Sequence, residues 1–481
     1  MKKLSLKIIC LSLILILLIG SMASCSGALL LPLLKEERRA TAIYNAVNQL
    51  PLNTTSYTVD STIDAVFHSS SAINLTLEAT TTQKMIDINR DSFIHRNRST
   101  YTLKRGSLTT VSNTVTEQGF ENGKMYIATG DESKMDNKFY SELSADAYFK
   151  HIENNLGESN LKIDTDTCNT MSAVKEEDKS WTATYSGFHD EGLEQFEELV
   201  EDFVDLLSDD YKIADVSLVV KVDKKLSPLS LSMEYIFEKT NESSKVPSPE
   251  LKITTTIKDI NNTSPDEAID FSKAEWKCVD DLRAVDYYLM GISKIVTNEQ
   301  ASFTSKIETN VISGSSSQKV TVDYTGNLSN TTEGLTCEFS QKQTNSIESL
   351  QYQYSNGQLT TITQKGTGTP KETTKDCSES QMFATIRSII DPAMLQITDV
   401  KDIRTIDAKE GIYEIMLNDS NSVLSQLIGS LGTLTTSSGV LRFTYKDGYL
   451  TQCTLDIDIY STATRTMLTV VVTNTYSYNA E

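Results

Sequence analysis

Histidine, tryptophan and proline are scarce in this 481-residue chain, with 4, 2 and 8 copies. The four histidines, His68, His95, His151 and His189, fall in unrelated stretches. None stands in an H-E-x-x-H or H-x-H spacing, so no zinc-protease helix is present. They read as scattered surface residues. Cysteine is also sparse. After Cys25 there remain Cys168, Cys278, Cys337, Cys377 and Cys453, odd in number and without a C-x-x-C pair. That pattern argues against a disulfide framework or a zinc ribbon. Free, semi-buried thiols are expected, with a single Cys337–Cys377 bridge as the alternative.

Catalytic signatures are missing too. There is no G-x-S-x-G elbow, no phosphate loop, no G-x-G-x-x-G and no D-x-D-x-D-G calcium loop. Ser316 to Lys319 and Ser159 to Lys162 each spell S-x-x-K, but no K-T-G element accompanies them. Basic residues number 44 against 65 acidic ones, for a net charge of −21. So acidic a body argues against nucleic acid as a partner and against broad adsorption to anionic headgroups. The run Asp190 to Asp210 holds Glu194, Glu197, Glu198, Glu201 and Asp205. Paired carboxylates serve glycosidases. Here they fall on the polar side of an amphipathic helix and read as a solvated face. The expectation is a protein that is not an enzyme, with no cofactor, metal or catalytic residue.

The first positive signal is at the amino end. Lys2, Lys3 and Lys7 precede Ile8 to Ile19, which is apolar except for Cys10 and Ser12. This is the layout of a secretory signal peptide. Twelve residues of helix span roughly 18 Å, short of a hydrocarbon core of about 30 Å. Met22-Ala23-Ser24-Cys25 follows and resembles the bacterial lipobox. The resemblance implies cleavage before Cys25 and acylation of its thiol with diacylglycerol and palmitate-type chains. Two or three chains anchor stably where one does not. The expected layout is a signal peptide over 1–24 and a lipid-anchored tether over 25–35. Ser26 to Lys35 reaches at most about 35 Å. The expected location is extracytoplasmic, in the outer leaflet of the cell membrane, or the outer membrane in a Gram-negative host.

The exported chain reads as one order of elements written twice. Glu36 to Leu50 and Trp276 to Val296 both carry apolar residues at helical spacing. Each precedes a Ser/Thr-rich series of strands. Asn122-Gly123 and Asn356-Gly357 then mark hairpins at equivalent places. Helices over Ala145 to Asn154 and Ser380 to Ile390 follow. Strands Trp181 to Phe188 and Ile412 to Leu417 come next, and then the stripes of Leu193, Phe196, Val200, Phe203 and Leu207, and of Val423, Leu424, Leu427 and Leu431. Both halves close with strongly alternating strands. Asn262-Thr263-Ser264-Pro265 breaks the chain between them.

This order, with Val220 to Leu229 as a hairpin with proline after the turn, resembles the LolA/LppX superfamily of lipoprotein carriers and lipid-binding lipoproteins. The resemblance implies an α+β fold of two tandem curved antiparallel half-barrel sheets, each wrapping amphipathic helices, over 36–262 and 268–481. It implies binding of an apolar small molecule or lipid in the concave modules. The alternative is a sensor or interaction lipoprotein that binds another envelope protein and holds no ligand. In either case the membrane is reached through the lipid on Cys25.

Overall fold

The structure is a computed structural model. It describes residues 35–47, 55–68, 74–88, 92–106, 112–131, 133–156, 167–189, 191–200, 211–240, 245–264, 267–331, 334–377, 379–431 and 435–478. Cys25, the signal peptide, Ser159–Lys162, Glu201 and Asp205 lie outside the described residues. The chain divides into two compact units between Lys277 and Cys278. The division falls after the Asn-Thr-Ser-Pro break, because 267–277 packs on the first unit.

In the first unit, helix α1 (Glu36–Val47) leads into β1 (Ser56–His68), β2 (Asn74–Ile86), β3 (Ile94–Arg105), β4 (Ser112–Glu121), β5 (Lys124–Gly130) and β6 (Met135–Glu142). Then come α2 (Ala145–Leu156), β7 (Cys168–Lys175), β8 (Trp181–Phe188), α3 (Glu191–Leu199), β9 (Tyr211–Val222), β10 (Pro228–Lys239) and β11 (Glu250–Lys258). A two-residue strand, β12 (Lys277–Cys278), ends the sheet. The strand order is β12-β6-β5-β4-β3-β2-β1-β11-β10-β9-β8-β7.

The second unit has α4 (Arg283–Thr297), β13 (Ala301–Ser313), β14 (Ser316–Thr331), β15 (Gly334–Gln343), β16 (Glu348–Ser355), β17 (Gln358–Lys365) and β18 (Lys371–Asp376). They are followed by α5 (Glu379–Ile390), β19 (Val400–Asp407), β20 (Ile412–Leu417), α6 (Ser422–Leu431), β21 (Thr435–Lys446), β22 (Tyr449–Ser461) and β23 (Thr466–Tyr478). Its order is β18-β17-β16-β15-β14-β13-β23-β22-β21-β20-β19. Strand for strand this repeats the first sheet from β6 to β7. The helices also fall at matching points of the order.

The fold class differs from the α+β expectation. About 60% of the described residues are strand and 16% helix, and both units are large antiparallel sheets with short helices as accessories. The difference has a physical source. Polar alternations such as Ile94–Arg105, Ser316–Thr331 and Lys371–Asp376 form strands of 12, 16 and 6 residues, although they carry little apolar signal of their own. Pairing with neighbouring strands supplies what their side chains do not, on both sides for the first two and on one side for Lys371–Asp376 at the sheet edge. The second unit's first helix is also shorter than its apolar pattern. Residues 276–282 stay outside it, and the Asp281 carboxylate accepts the Arg283 N–H at 3.1 Å in the turn that precedes the helix.

The turns behave as their chemistry dictates. Asn122 and Gly123 have φ of 52° and 71°, and Asn356 and Gly357 have 50° and 73°. Positive φ at both central residues matches the twist of the flanking strands.

Counting back six residues from each Asn-Gly pair places Thr116 opposite Leu350 in the repeat. The ladders carry that match across both sheets. Thr116 pairs with Ser99, Ser99 with Thr81, and Thr81 with Ser61. Leu350 pairs with Gln341, Gln341 with Tyr324, and Tyr324 with Ser305. Ser61 and Ser305 are therefore equivalent, as are Ile63 and Ile307, Leu77 and Val320, and Ala79 and Val322.

Candidate functional site

The first unit encloses a polar row. Thr255, Ser61, Thr81, Ser99, Thr116 and Thr129 stand in register on six neighbouring strands. All six are buried. Ser61 and Thr255 are hydrogen-bonded at 3.0 Å, and Thr81 and Ser99 at 3.1 Å. Beside this row lie Gln83, Asn97 and His95, also buried.

His95 is 1% exposed, against the expectation of a surface residue. Its side chain follows the inward face of β3, whose alternation is polar and so left no apolar mark. Gln83 Nε2 lies 2.7 Å from His95 Nε2, and Tyr148 Oη lies 2.5 Å from His95 Nδ1. With the amide donating, Nε2 is the acceptor and Nδ1–H donates to the phenol. Phe93, Phe120 and Tyr148 pack around this site. Burial lowers the His95 pKa to about 4, so the ring is neutral at neutral pH. Both ring nitrogens are occupied, which leaves none to act as a general base. His151 is buried as well, whereas His68 and His189 are partly exposed.

The second unit has its own buried network. Tyr288 Oη donates to Asp391 at 2.8 Å. Asn474 Nδ2 donates to the carbonyls of Ile389 and Ile390 at 3.0 and 3.1 Å, and Tyr476 Oη donates to Ile390 at 2.5 Å. These groups satisfy the carbonyl end of α5 and fasten it to β23. Their arrangement is that of a helix cap.

The remaining candidates fare as follows. The five described cysteines are free thiols; Cys168, Cys337, Cys377 and Cys453 are buried and Cys278 is exposed. Burial pushes the Cys337 and Cys453 thiols up to about 12, which keeps them protonated and weakly nucleophilic. Lys319 of the S-x-x-K pair lies 2.8 Å from Glu308, in an exposed ion pair. Glu194 is exposed and Glu197 partly buried, with burial raising the Glu197 pKa. Among the described residues no cluster of three or more metal-binding side chains occurs.

What distinguishes the units is the cover over one sheet face. In the first, Ile63, Ala65, Phe67, Leu77, Ala79, Tyr101 and Leu103 are buried. They belong to one core cluster with Ala40, Ile43 and Tyr44 of α1 and Phe196 of α3. In the second, burial along β13 on the same face stops after Phe303 and Ser305, while Leu468 and Val472 of the neighbouring β23 stay buried. Ile307, Val311, Val320, Val322, Tyr324 and Leu350 are all partly exposed. Val470 of β23 joins them. Among the described residues, this stretch of apolar face on β13–β16 is only partly covered.

The opposite face of the same strands is polar. Ser302, Asn327, Glu338 and Gln353 stand in register across β13–β16. With Gln300 and Ser355 they line a groove of about 590 Å³. Gln353 Nε2 donates to Glu338 Oε1 at 3.3 Å. This groove offers amides, hydroxyls and one carboxylate. Sequence reasoning singled out neither face, because each is set by which strands become neighbours.

No family model and no curated protein matches the chain. Among solved structures it is similar to OccK3 (OpdO) of Pseudomonas aeruginosa, at 7% identity over 89% of this chain and 99% of that one, with a TM-score of 0.12. An AttH-type protein of Nitrosomonas europaea matches at 7% identity over 88% and 93%, with a TM-score of 0.13. A protein of unknown function from Nostoc punctiforme matches at 9% over 89% and 97%, with a TM-score of 0.11. Superpositions this loose carry no argument about fold or function.

Proposed function

We propose that this protein is an extracytoplasmic lipoprotein, held to a membrane by a lipid on Cys25, that binds an apolar ligand on the uncovered face of its second sheet. One observation carries the reading. Ile307, Val311, Val320, Val322, Tyr324 and Leu350 remain partly exposed where their first-unit counterparts are closed over. A contiguous apolar face of this kind on a soluble body marks a binding surface. The neutral, doubly bonded His95 supports a role without chemistry.

The test is binding of a fluorescent fatty-acyl probe to the purified chain, joined to mass spectrometry of apolar molecules extracted from it. Saturable binding that Val322→Asp weakens is the expected outcome. A probe that binds both chains equally, or neither, would count against the reading. A second reading rests on the polar groove of the opposite face. That surface suits a polar protein partner, as a sensor or interaction lipoprotein would need. Crosslinking in cells from Gln353 distinguishes the two.

A further inference from the structure

We propose that the turn-bearing end of the second sheet docks on a lipid bilayer carrying anionic headgroups. Two turns meet there, 313–316 and 461–466, and Thr466 Oγ1 donates to Ser313 Oγ at 3.4 Å. Beside them Tyr460 stands opposite Met467, and Met467 opposite Ile312. The three are 43%, 37% and 36% exposed. Single exposed apolar residues need no explanation, but three in cross-strand contact form a patch.

Charge selects the partner. Residues 311–318, 435–437 and 459–468, which build this end, contain neither Asp nor Glu, in a chain with 65 acidic residues; Asp419 reaches its margin, where it accepts a hydrogen bond from Ser437 Oγ. Arg465 lies in the turn itself. Lys319 lies on β14 behind the other turn, paired with Glu308. Asp458, on the same face as Tyr460, sits one step further back. Apolar side chains with a flanking cation and an amphipathic tyrosine fit the interface of a bilayer. Acidic stretches of the chain are repelled from such a surface over about 10 Å, which favours approach by this end. Val311 and Val320, on the reverse of the same strands, continue the apolar surface toward the uncovered face. The inference rests on the ligand reading only in making the bilayer the ligand's source.

The experiment uses the full chain anchored on vesicles of phosphatidylcholine with phosphatidylglycerol. In a Cys278→Ser background, which removes the exposed native thiol, an environment-sensitive fluorophore is placed on Ile312→Cys, on Met467→Cys and, as a control, on Val174→Cys, a position 57% exposed in the first unit. Brominated acyl chains should quench the labels at 312 and 467 and leave the label at 174 untouched. Arg465→Gln should lower the docked-to-undocked ratio about fivefold on anionic vesicles and leave it unchanged on phosphatidylcholine alone. Equal, weak quenching at all three positions overturns the inference. Docking without fatty-acyl probe binding would sustain it and remove the ligand reading. Probe binding without docking would do the reverse.

Discussion

Ile63 and Ile307 hold the same place in two sheets of the same strand order, yet Ile63 is 2% exposed while Ile307 is partly open to solvent. Burying an isoleucine is worth a few kcal/mol, so the two positions should respond differently to truncation. Ile63→Ala should cost about 3 kcal/mol, and Ile307→Ala about 1 kcal/mol or less. Denaturant unfolding of the two variants checks the difference. Equal losses would mean that the second face is covered in solution.

His95 makes stability depend on pH. Its pKa is about 4 in the folded chain and near 6.5 when unfolded. Between these values the unfolded chain binds the extra proton, so stability falls as pH drops from about 6.5 toward 4 and is level above that range. The full swing is about 3 kcal/mol. Urea midpoints at pH 7 and pH 5 should separate in the native chain and converge in His95→Gln, once the carboxylate contribution common to both is subtracted.

Glu121 should be a structural hinge-pin of the first unit. It is 2% exposed, bonded to Arg96 Nη2 at 2.5 Å, and accepts the Ile269 N–H at 3.3 Å. Arg96 also donates to the Glu267 carbonyl at 2.9 Å. Together these bonds hold the 267–276 segment, whose Phe271 and Trp276 pack on Tyr126. Arg96→Met leaves a buried carboxylate without its cation, at about 3–5 kcal/mol. Arg96→Met/Glu121→Met should recover part of that loss, and a double-mutant cycle measures how much.

Cysteine accessibility gives a simpler check. Under native conditions an alkylating reagent should modify Cys278 and spare Cys168, Cys337, Cys377 and Cys453, which are buried. All five should react in denaturant. Mass spectrometry counts the adducts.

Much of this architecture was legible in the residues. The Asn-Gly pairs at 122–123 and 356–357 and the alternation of Val216 to Val222 name their strands directly. Trp181–Phe188 and Ile412–Leu417 form strands over the expected residues. The class was misread because strands such as Lys371–Asp376 owe their form to a neighbour. The functional surface was hidden for a related reason. Nothing local distinguishes Ile63 from Ile307, since their difference is whether other parts of the chain lie over them. A lone histidine in a polar alternation such as His95 looks solvent-facing until the sheet face it shares with Phe120, and the packing of Tyr148 from α2 against it, are known.

Ligand binding by this protein turns on whether the partly exposed face of the second sheet takes up an apolar molecule. The decisive measurement is native mass spectrometry of the gently purified chain, beside Val322→Asp and the polar-groove variant Gln353→Asp. A discrete apolar adduct is expected on the native and Gln353→Asp chains, and its loss from Val322→Asp. An adduct-free native chain that also fails to bind a fatty-acyl probe would contradict it.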